Sequence, residues 1–280
     1  MRKLKNVILS IFSLPLLSFT ISADTLNVCD DQNEWPPFSF FSREDGKPDK
    51  QHISGANTEL LREAFKLANI EYTIHMIPWK RCLYEVYNYG ESKQYEAFVN
   101  GSYNTERAER YYVSNAIYKT HDALFYSKKK FPNGLSFKKS SDLNNYSICG
   151  VFGYQYEYLY NTYGLKKNIK IDDKAKTLIS ALEKVSLGRC DVLSNSFEPV
   201  FGGDAVGLYN IPEDIGHLII PNGIIYTYHM FISKSSPRAN DLITKFNKAL
   251  LTLQQNGRVN EIFGKFIPYE SEYKEGGKSN

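Results

Sequence analysis

The stretch NTELLREAFKLANIEYTIHMIPWKRCLYEVY, residues 57–87, changes its hydrophobic period twice. Its first part has apolar residues at 60, 61, 64, 65, 67 and 68, the stripe of an amphipathic helix over 57–69. Tyr72–Ile77 then reads as a strand, and Lys80–Tyr87 returns to a helical pattern. Outside this stretch lie two short apolar runs. Leu26–Cys29 precedes Asp30-Asp31, and Ala97–Asn100 follows the second helix. The order is β-α-β-α-β, which predicts a parallel sheet covered by helices and hence an α/β fold.

The order recurs further along. Tyr146–Val151 reads as a strand, a tyrosine-rich helix is expected at about 154–162, and Ile169–Ile171 as a short strand. Thr177–Leu187 reads as a helix stopped by Gly188, and Asp191–Ser194 as the next strand. Between the two units lies 118–145, with a strand at Ala123–Ser127 and a lysine triplet at 128–130 read as a solvated edge. Tyr228–Ser233 reads as a strand that returns the chain to the first unit. A long helix follows, with Ser236-Pro237 as its expected cap, apolar residues at 242, 243, 246, 249, 250 and 253, and Asn256-Gly257 as its end. Val259–Phe266 is a second short helix, and the polar tail 270–280 is expected to fray.

Composition narrows the classes. The chain has 280 residues, with 42% hydrophobic and 23% charged, so disorder as the main state is excluded. A net charge of +3 is too small for a nucleic-acid binder. Forty aromatic residues, 21 of them Tyr and only 2 Trp, are the unusual feature. Residues 1–23 read as a secretory signal: Arg2, Lys3 and Lys5, then the apolar run Val7–Phe19, then Ser22-Ala23. Removing it takes those three bases from 34 and leaves 31 basic against 31 acidic residues. The remainder is expected to carry no membrane span and to be soluble and exported. An even number of cysteines, Cys29, Cys82, Cys149 and Cys190, favours disulfides in an oxidising compartment, with three connectivities open. No Cys/His cluster of zinc spacing is present, so no metal is expected. No cofactor is expected either: there is no Gly-x-Ser-x-Gly elbow, P-loop or His-Glu-x-x-His.

Five segments in order resemble the family 3 solute-binding proteins, the amino-acid-binding type of ABC transporters. They are CDDQNEWPPFSFF with DGKPDKQHISGANTELL, IPWKRCL, FVNGSYNTERAERYYVSNAIY, CGVFGYQY with LGRCDVLSN, and YHMFISKSSPRANDLITKFNKALLTLQQNGRVNEIFGKF. Together they cover nearly all of residues 26–267. The resemblance implies the type II periplasmic binding fold: two α/β lobes with mixed, mostly parallel sheets, joined by two crossing segments that act as a hinge. The crossings fall near 118–123 and 222–227. Lobe 1 is then 24–120 plus 226–280, and lobe 2 is 121–225.

The resemblance also implies a site. Arg107, in the Thr-x-Arg element, matches the arginine that forks onto a ligand carboxylate; a surface arginine among Glu106, Glu109 and Arg110 is the competing reading. Ser102 matches the hydroxyl residue beside that carboxylate, and Asn100 ends the same strand. Trp35 and Trp79 fall where the family stacks aromatics on its ligand, against ordinary core burial. Arg81 is a second anionic contact or a solvent-facing residue. Tyr154 opens the first helix of lobe 2. The family's acidic partner of the α-ammonium is replaced by Ser196, with Glu198 two residues on as a substitute. A carboxylate ligand is therefore better supported than an α-amino acid. On this fold Cys149 and Cys190 sit on two strands of one β-α-β unit, and Cys29 ends the first strand while Cys82 begins the second helix. The expected pairs are Cys149–Cys190 and Cys29–Cys82.

The leading expectation is a monomeric periplasmic protein, not an enzyme, that passes a small carboxylate-bearing solute to an ABC permease. Two alternatives stand beside it. One is a dehydratase of cyclohexadienyl acids on the same fold, with Glu198 or Glu34 as general acid. The other is a sensing module for a membrane receptor.

Overall fold

The structure is a computed structural model that describes residues 25–267; the signal at 1–23 and the tail at 270–280 lie outside the described residues. The first half of the chain runs β1 (Leu26–Asp31), β2 (Phe40–Glu44), β3 (Lys47–Ser54), α1 (Ala56–Ala68), β4 (Tyr72–Ile77), α2 (Trp79–Tyr87), α3 (Tyr89–Ser92), β5 (Ala97–Ser102), α4 (Thr105–Arg110), β6 (Tyr111–Val113) and β7 (Tyr118–Ser127). The second runs β8 (Ile148–Val151), α5 (Glu157–Asn161), β9 (Asp172–Ala175), α6 (Leu178–Ser186), β10 (Val192–Ser196), α7 (Phe197–Ala205), β11 (Ile215–Ile219), β12 (Ile225–Ser233), α8 (Ala239–Gln255) and α9 (Arg258–Phe266).

The periodic segments fold as their patterns dictate. α1 buries Leu60, Leu61, Ala64 and Phe65 and ends where Asn69 turns left-handed at φ 54°. Its entry requires Gly55, because a Cβ there would stand 2.4 Å from the Phe38 carbonyl oxygen. α6 is capped by Thr177, whose hydroxyl accepts the Ser180 N–H, and buries Leu178, Ala181, Leu182 and Val185. α8 buries Leu242, Phe246, Ala249, Leu250 and Leu253, and the Phe246 ring meets Phe65 of α1 at 5.5 Å.

The strands form one continuous mixed path, β4-β1-β5-β12-β7-β10-β8-β9, with β6 beside β12 and β11 beside β7. Lobe 1 is built on parallel β4, β1 and β5, and lobe 2 on parallel β9, β8 and β10. β7 and β12 join them. Residues 118–121 of β7 pair antiparallel with 225–228 of β12, while 122–127 of β7 pair with β10 and β11. Each lobe carries one disulfide, Cys29–Cys82 and Cys149–Cys190, each with its Cα atoms 5.7 Å apart. Among the described residues no helix is long and apolar enough to cross a membrane.

Several elements differ from the sequence reading. The strand expected at Ile169–Ile171 lies at Asp172–Ala175. The two isoleucines pack into the lobe 2 core instead, and the real edge strand is polar, so hydrophobicity marked the wrong residues. The helix expected at 154–162 is only Glu157–Asn161, since the Tyr156 oxygen accepts the Val151 N–H at 2.6 Å ahead of it. Ser236-Pro237 forms a turn before α8, which starts at Ala239. The Ser236 hydroxyl accepts the Arg238 N–H at 3.2 Å and donates to Glu96. The hairpin β2–β3 was not foreseen. It is polar along much of its length, and its turn residues Asp45 and Gly46 both have positive φ, 51° and 75°, as a tight hairpin requires.

Candidate functional site

The ends of β1, β5 and β10 open on one cavity of about 90 Å³ between the lobes. Open α/β sheets offer ligands this position, outside the carboxyl ends of their strands. Lobe 1 contributes Asp30, Asp31, Trp35, Trp79, Asn100, Ser102 and Arg107 to its walls. Lobe 2 contributes Tyr154, Gln155, Tyr156, Tyr158 and the run Ser194–Ser196, and Tyr226 and Tyr228 come from β12.

Arg107 is placed by α4. The Asn104 side chain caps that helix by accepting the Arg107 N–H at 2.7 Å. The guanidinium folds back, and its Nη1 donates to the carbonyl and the hydroxyl oxygen of Ser102 at 2.7 and 2.9 Å. Its carbon lies 5.5 Å from the centre of the Trp79 ring. Arg107 is 7% exposed, and among the described residues no carboxylate pairs with it. Burial lowers its affinity for its own proton. Ser102, in accepting from Arg107, keeps its own hydroxyl proton free to donate.

Asn100 sits at a positive φ of 56° on β5, with both ends of its amide hydrogen-bonded. Its Nδ2 donates to Asp30 Oδ2 at 2.6 Å, and its Oδ1 accepts from Asn57 and from the Tyr118 hydroxyl, both at 2.7 Å. Asp30 accepts the Asp31 N–H at 2.8 Å on its other oxygen. Burial nevertheless raises the Asp30 carboxyl to about 7, against the hydrogen bonds that favour its ionised form. Burial likewise raises Asp31 to about 6, opposed by the Asn33 N–H.

The aromatic walls are interlocked. Trp35 meets Tyr154 edge-on at 5.7 Å and Tyr228 at 5.8 Å, and Tyr228 stacks on Tyr118 at 4.8 Å. On the lobe 2 side the Tyr158 hydroxyl bonds Ser194 at 2.9 Å, and Ser196 bonds Thr120 at 2.8 Å. Burial pushes the phenols of Tyr154, Tyr158 and Tyr226 up, so all three stay protonated donors. The lobes also touch at the mouth. Lys80 lies 3.7 Å over the Phe152 ring, Asn33 Nδ2 donates to the Lys176 carbonyl at 3.3 Å, and the Pro36 main chain rests against Gly202.

Six of the residues singled out from sequence thus meet at one cavity: Trp35, Trp79, Asn100, Ser102, Arg107 and Tyr154. Two do not. Arg81 is exposed on α2 and pairs with Glu85 at 3.6 Å; two residues from Trp79 on a helix, it faces elsewhere. Glu198 is buried outside the cavity lining, and its carboxylate accepts the His121 backbone N–H and meets His121 Nδ1 at 2.7 Å. Glu34 is also absent from the lining. Arg43 grips it through two nitrogens, at 2.8 and 2.9 Å, and the Phe41 N–H donates to it at 2.8 Å. Asp31, Tyr226, Tyr228 and Asn195 were missed. Adjacent acids at the end of an apolar strand, and Tyr226/Tyr228 two apart on a returning strand, were the available signals. Among the described residues the one grouping with metal-ligand types is Cys149, Asp172 and Cys190, and its two sulfurs are joined to each other.

Comparison with solved structures places the fold. An arginine-, lysine-, histidine-binding protein from Geobacillus stearothermophilus superposes with a TM-score of 0.66 at 19% identity, over 87% of this chain and 95% of its own. An amino acid ABC transporter substrate-binding protein from Streptococcus pneumoniae bound to L-arginine does so at 0.66 and 16%, over 86% and 93%. A histidine kinase sensor domain with similarity to periplasmic binding proteins does so at 0.66 and 19%, over 87% and 96%. No curated protein matches the chain. The sequence model of the bacterial extracellular solute-binding proteins, family 3, matches residues 26–269. With its two-lobed type II fold and that match over most of its length, the chain belongs to the family 3 bacterial extracellular solute-binding proteins.

Proposed function

We propose that the chain is a periplasmic binding protein that captures a small carboxylate-bearing solute between lobes 24–120 plus 226–280 and 121–225 and delivers it to an ABC permease. It reaches the periplasm through the segment 1–23, and hinge closure about the two crossings brings the lobes together on the solute. One observation carries this reading: Arg107 is buried in the cleft with no carboxylate partner among the described residues. A buried charge without a counter-ion is costly, and a ligand carboxylate would supply that counter-ion through two parallel hydrogen bonds. Ser102 would add a hydroxyl donor, and Trp79 and Trp35 an apolar wall.

A thermal-shift screen against amino acids, polyamines and organic acids tests this. A ligand at 100 times its Kd stabilises by about 2.7 kcal/mol. Carboxylates are expected to shift the transition and polyamines alone are not; a response to polyamines only defeats the reading. The likeness to a kinase sensor domain supports one second reading, presentation of the closed form to a membrane receptor. Identification of the partner in the membrane separates the two.

A further inference from the structure

We infer that Asp122 is a proton-operated catch in the hinge: protonated, it lets the two crossing strands hold the lobes together, and ionised, it drives them apart. The inference rests on the hinge of the reading above. Asp122 stands where β7 changes partner. Residues 118–121 pair with β12, and from Asp122 onward the strand pairs with β10, Asp122 itself lying opposite Ser196. Its main-chain carbonyl accepts the Ile220 N–H at 3.0 Å, which ties its backbone to lobe 2. Its side chain reaches the other crossing: Oδ2 accepts from the Tyr226 hydroxyl at 3.4 Å, and Tyr226 is the register partner of Thr120. Tyr163 of lobe 2 hydrogen-bonds the same carboxyl, and its hydroxyl oxygen accepts the Ile224 N–H at 2.8 Å. One carboxyl is thus shared by both crossings and by lobe 2, at the point that a rotation of the lobes would deform.

The ionised form is poorly held in this geometry. Asp122 is 1% exposed, and its Oδ1 has no hydrogen-bond partner among the described residues. The titratable groups that act on it are phenols: Tyr226 from β12, Tyr158 from α5, and Tyr156 and Tyr163 from the chain on either side of α5. Ser196 faces it from β10 in register. His121, the residue before it on β7, is engaged by Glu198 of α7, and successive strand residues point to opposite faces. A buried carboxylate with no cation beside it and one bare oxygen is costly, while the neutral acid is far less so. Burial accordingly raises the Asp122 carboxyl to about 7.

The lobes meet at the mouth in this structure, through Lys80 on Phe152 and Pro36 on Gly202. Parting the crossings would let water reach Oδ1 and relieve the cost of the charge. The closed form therefore holds the proton more tightly than the open form. Rising pH favours opening, and the change is complete once pH has passed the closed-form value of about 7.

The test is small-angle scattering of the mature, solute-free chain at about pH 5 and about pH 9, on either side of that value. Gly202→Ala supplies an open reference, since its Cβ would stand 2.6 Å from the Pro36 carbonyl carbon. The unmodified chain is expected to be compact at the lower pH and to move to the Gly202→Ala profile, with a larger radius of gyration, at the higher. Asp122→Asn, similar in shape and uncharged, is expected to stay compact at both. A profile of the unmodified chain that does not change with pH overturns the catch. An Asp122→Asn variant, folded by circular dichroism, that still opens also overturns it, and assigns the response to another group such as Asp30 or His121. If that variant does not fold, carbon-13 titration of the Asp122 carboxyl in the unmodified chain decides: ionisation in step with opening supports the catch, and a carboxyl still protonated after the lobes have parted overturns it. If neither Gly202→Ala nor pH alters the profile, the hinge reading itself falls and takes the catch with it. If Gly202→Ala opens the lobes and pH does not, the hinge reading stands without the catch.

Discussion

Lobes 1 and 2 are built alike and face the cleft differently. Each is a small parallel sheet with helices, and each has one disulfide tying a sheet strand to a neighbouring element or strand, closing spans of 53 and 41 residues. Their cleft walls share little. Lobe 1 presents Arg107 and Asp31, both buried and charged; lobe 2 presents Ser194, Asn195, Ser196 and tyrosines, all neutral. Similar scaffolds thus carry a charged jaw and a neutral one. On the proposed function, the charged jaw selects the solute and the neutral jaw excludes water and completes the hydrogen bonds.

The sharpest way to test the likeness of the scaffolds is their buried acids. Lobe 1 buries Asp30 and lobe 2 buries Asp122, and burial raises each from 3.8 to about 7. A carboxyl held above its unfolded value favours folding while protonated, so its contribution is full below pH 4 and is lost as pH rises through 7. Relative to the unmodified chain, Asp122→Asn is expected to gain stability between pH 4 and 7, by up to on the order of 4 kcal/mol. Urea melts at both ends of that range check it, and a variant that tracks the unmodified chain at every pH breaks the assignment. The disulfides come next. Loop-closure entropy predicts about 4 kcal/mol from each bridge, within about 0.3 of one another. Paired Cys→Ser variants of each bridge, melted separately, are expected to lose similar amounts, and a large imbalance would show that one lobe depends on its bridge far more than the other.

The contrast between the walls has its own tests, of smaller size. Arg107→Ala is expected to weaken carboxylate binding at least 100-fold, about 2.7 kcal/mol, without lowering the melting temperature of the ligand-free protein. Unchanged affinity would remove lobe 1 as the charged jaw. Gly202→Ala places a Cβ 2.6 Å from the Pro36 carbonyl carbon and oxygen. It is expected to hold the lobes apart and cost about 10-fold in affinity, with Arg107 still in place. Small-angle scattering checks the opening, and an unaltered profile in saturating ligand would show that Pro36 and Gly202 do not meet in the bound state.

The sequence made the regular parts of this molecule legible for a physical reason. α1, α6 and α8 each bury one face, so their apolar residues repeat at the helical period. β2, β3 and β9 lie at edges or outside the main sheet and bury little, so their polar residues carried no such signal. In the site, Arg107, Trp35 and Trp79 were legible because each belongs to a distinctive local pattern. Arg81, open between a ligand contact and a solvent-facing residue, and Glu198 lie away from the cavity because proximity in sequence does not fix direction: one turns to the outer face of α2 and the other toward His121. Asp31 was passed over because an acid after a strand is indistinguishable, in one sequence, from an ordinary solvated turn.

The pairing of the two crossing strands bears on how such a molecule is assembled. His121 of β7 is the register partner of Ile225 of β12, so the chain leaves lobe 1 and re-enters it at adjacent points. Topologically, lobe 2 is an insert with neighbouring ends, the arrangement that tolerates domain insertion and exchange. A short turn replacing residues 122–224 would close lobe 1 on itself with its ladder from β4 to β7 intact. The two jaws are thus joined by one pair of adjacent chain crossings, held together by the antiparallel pairing of β7 with β12.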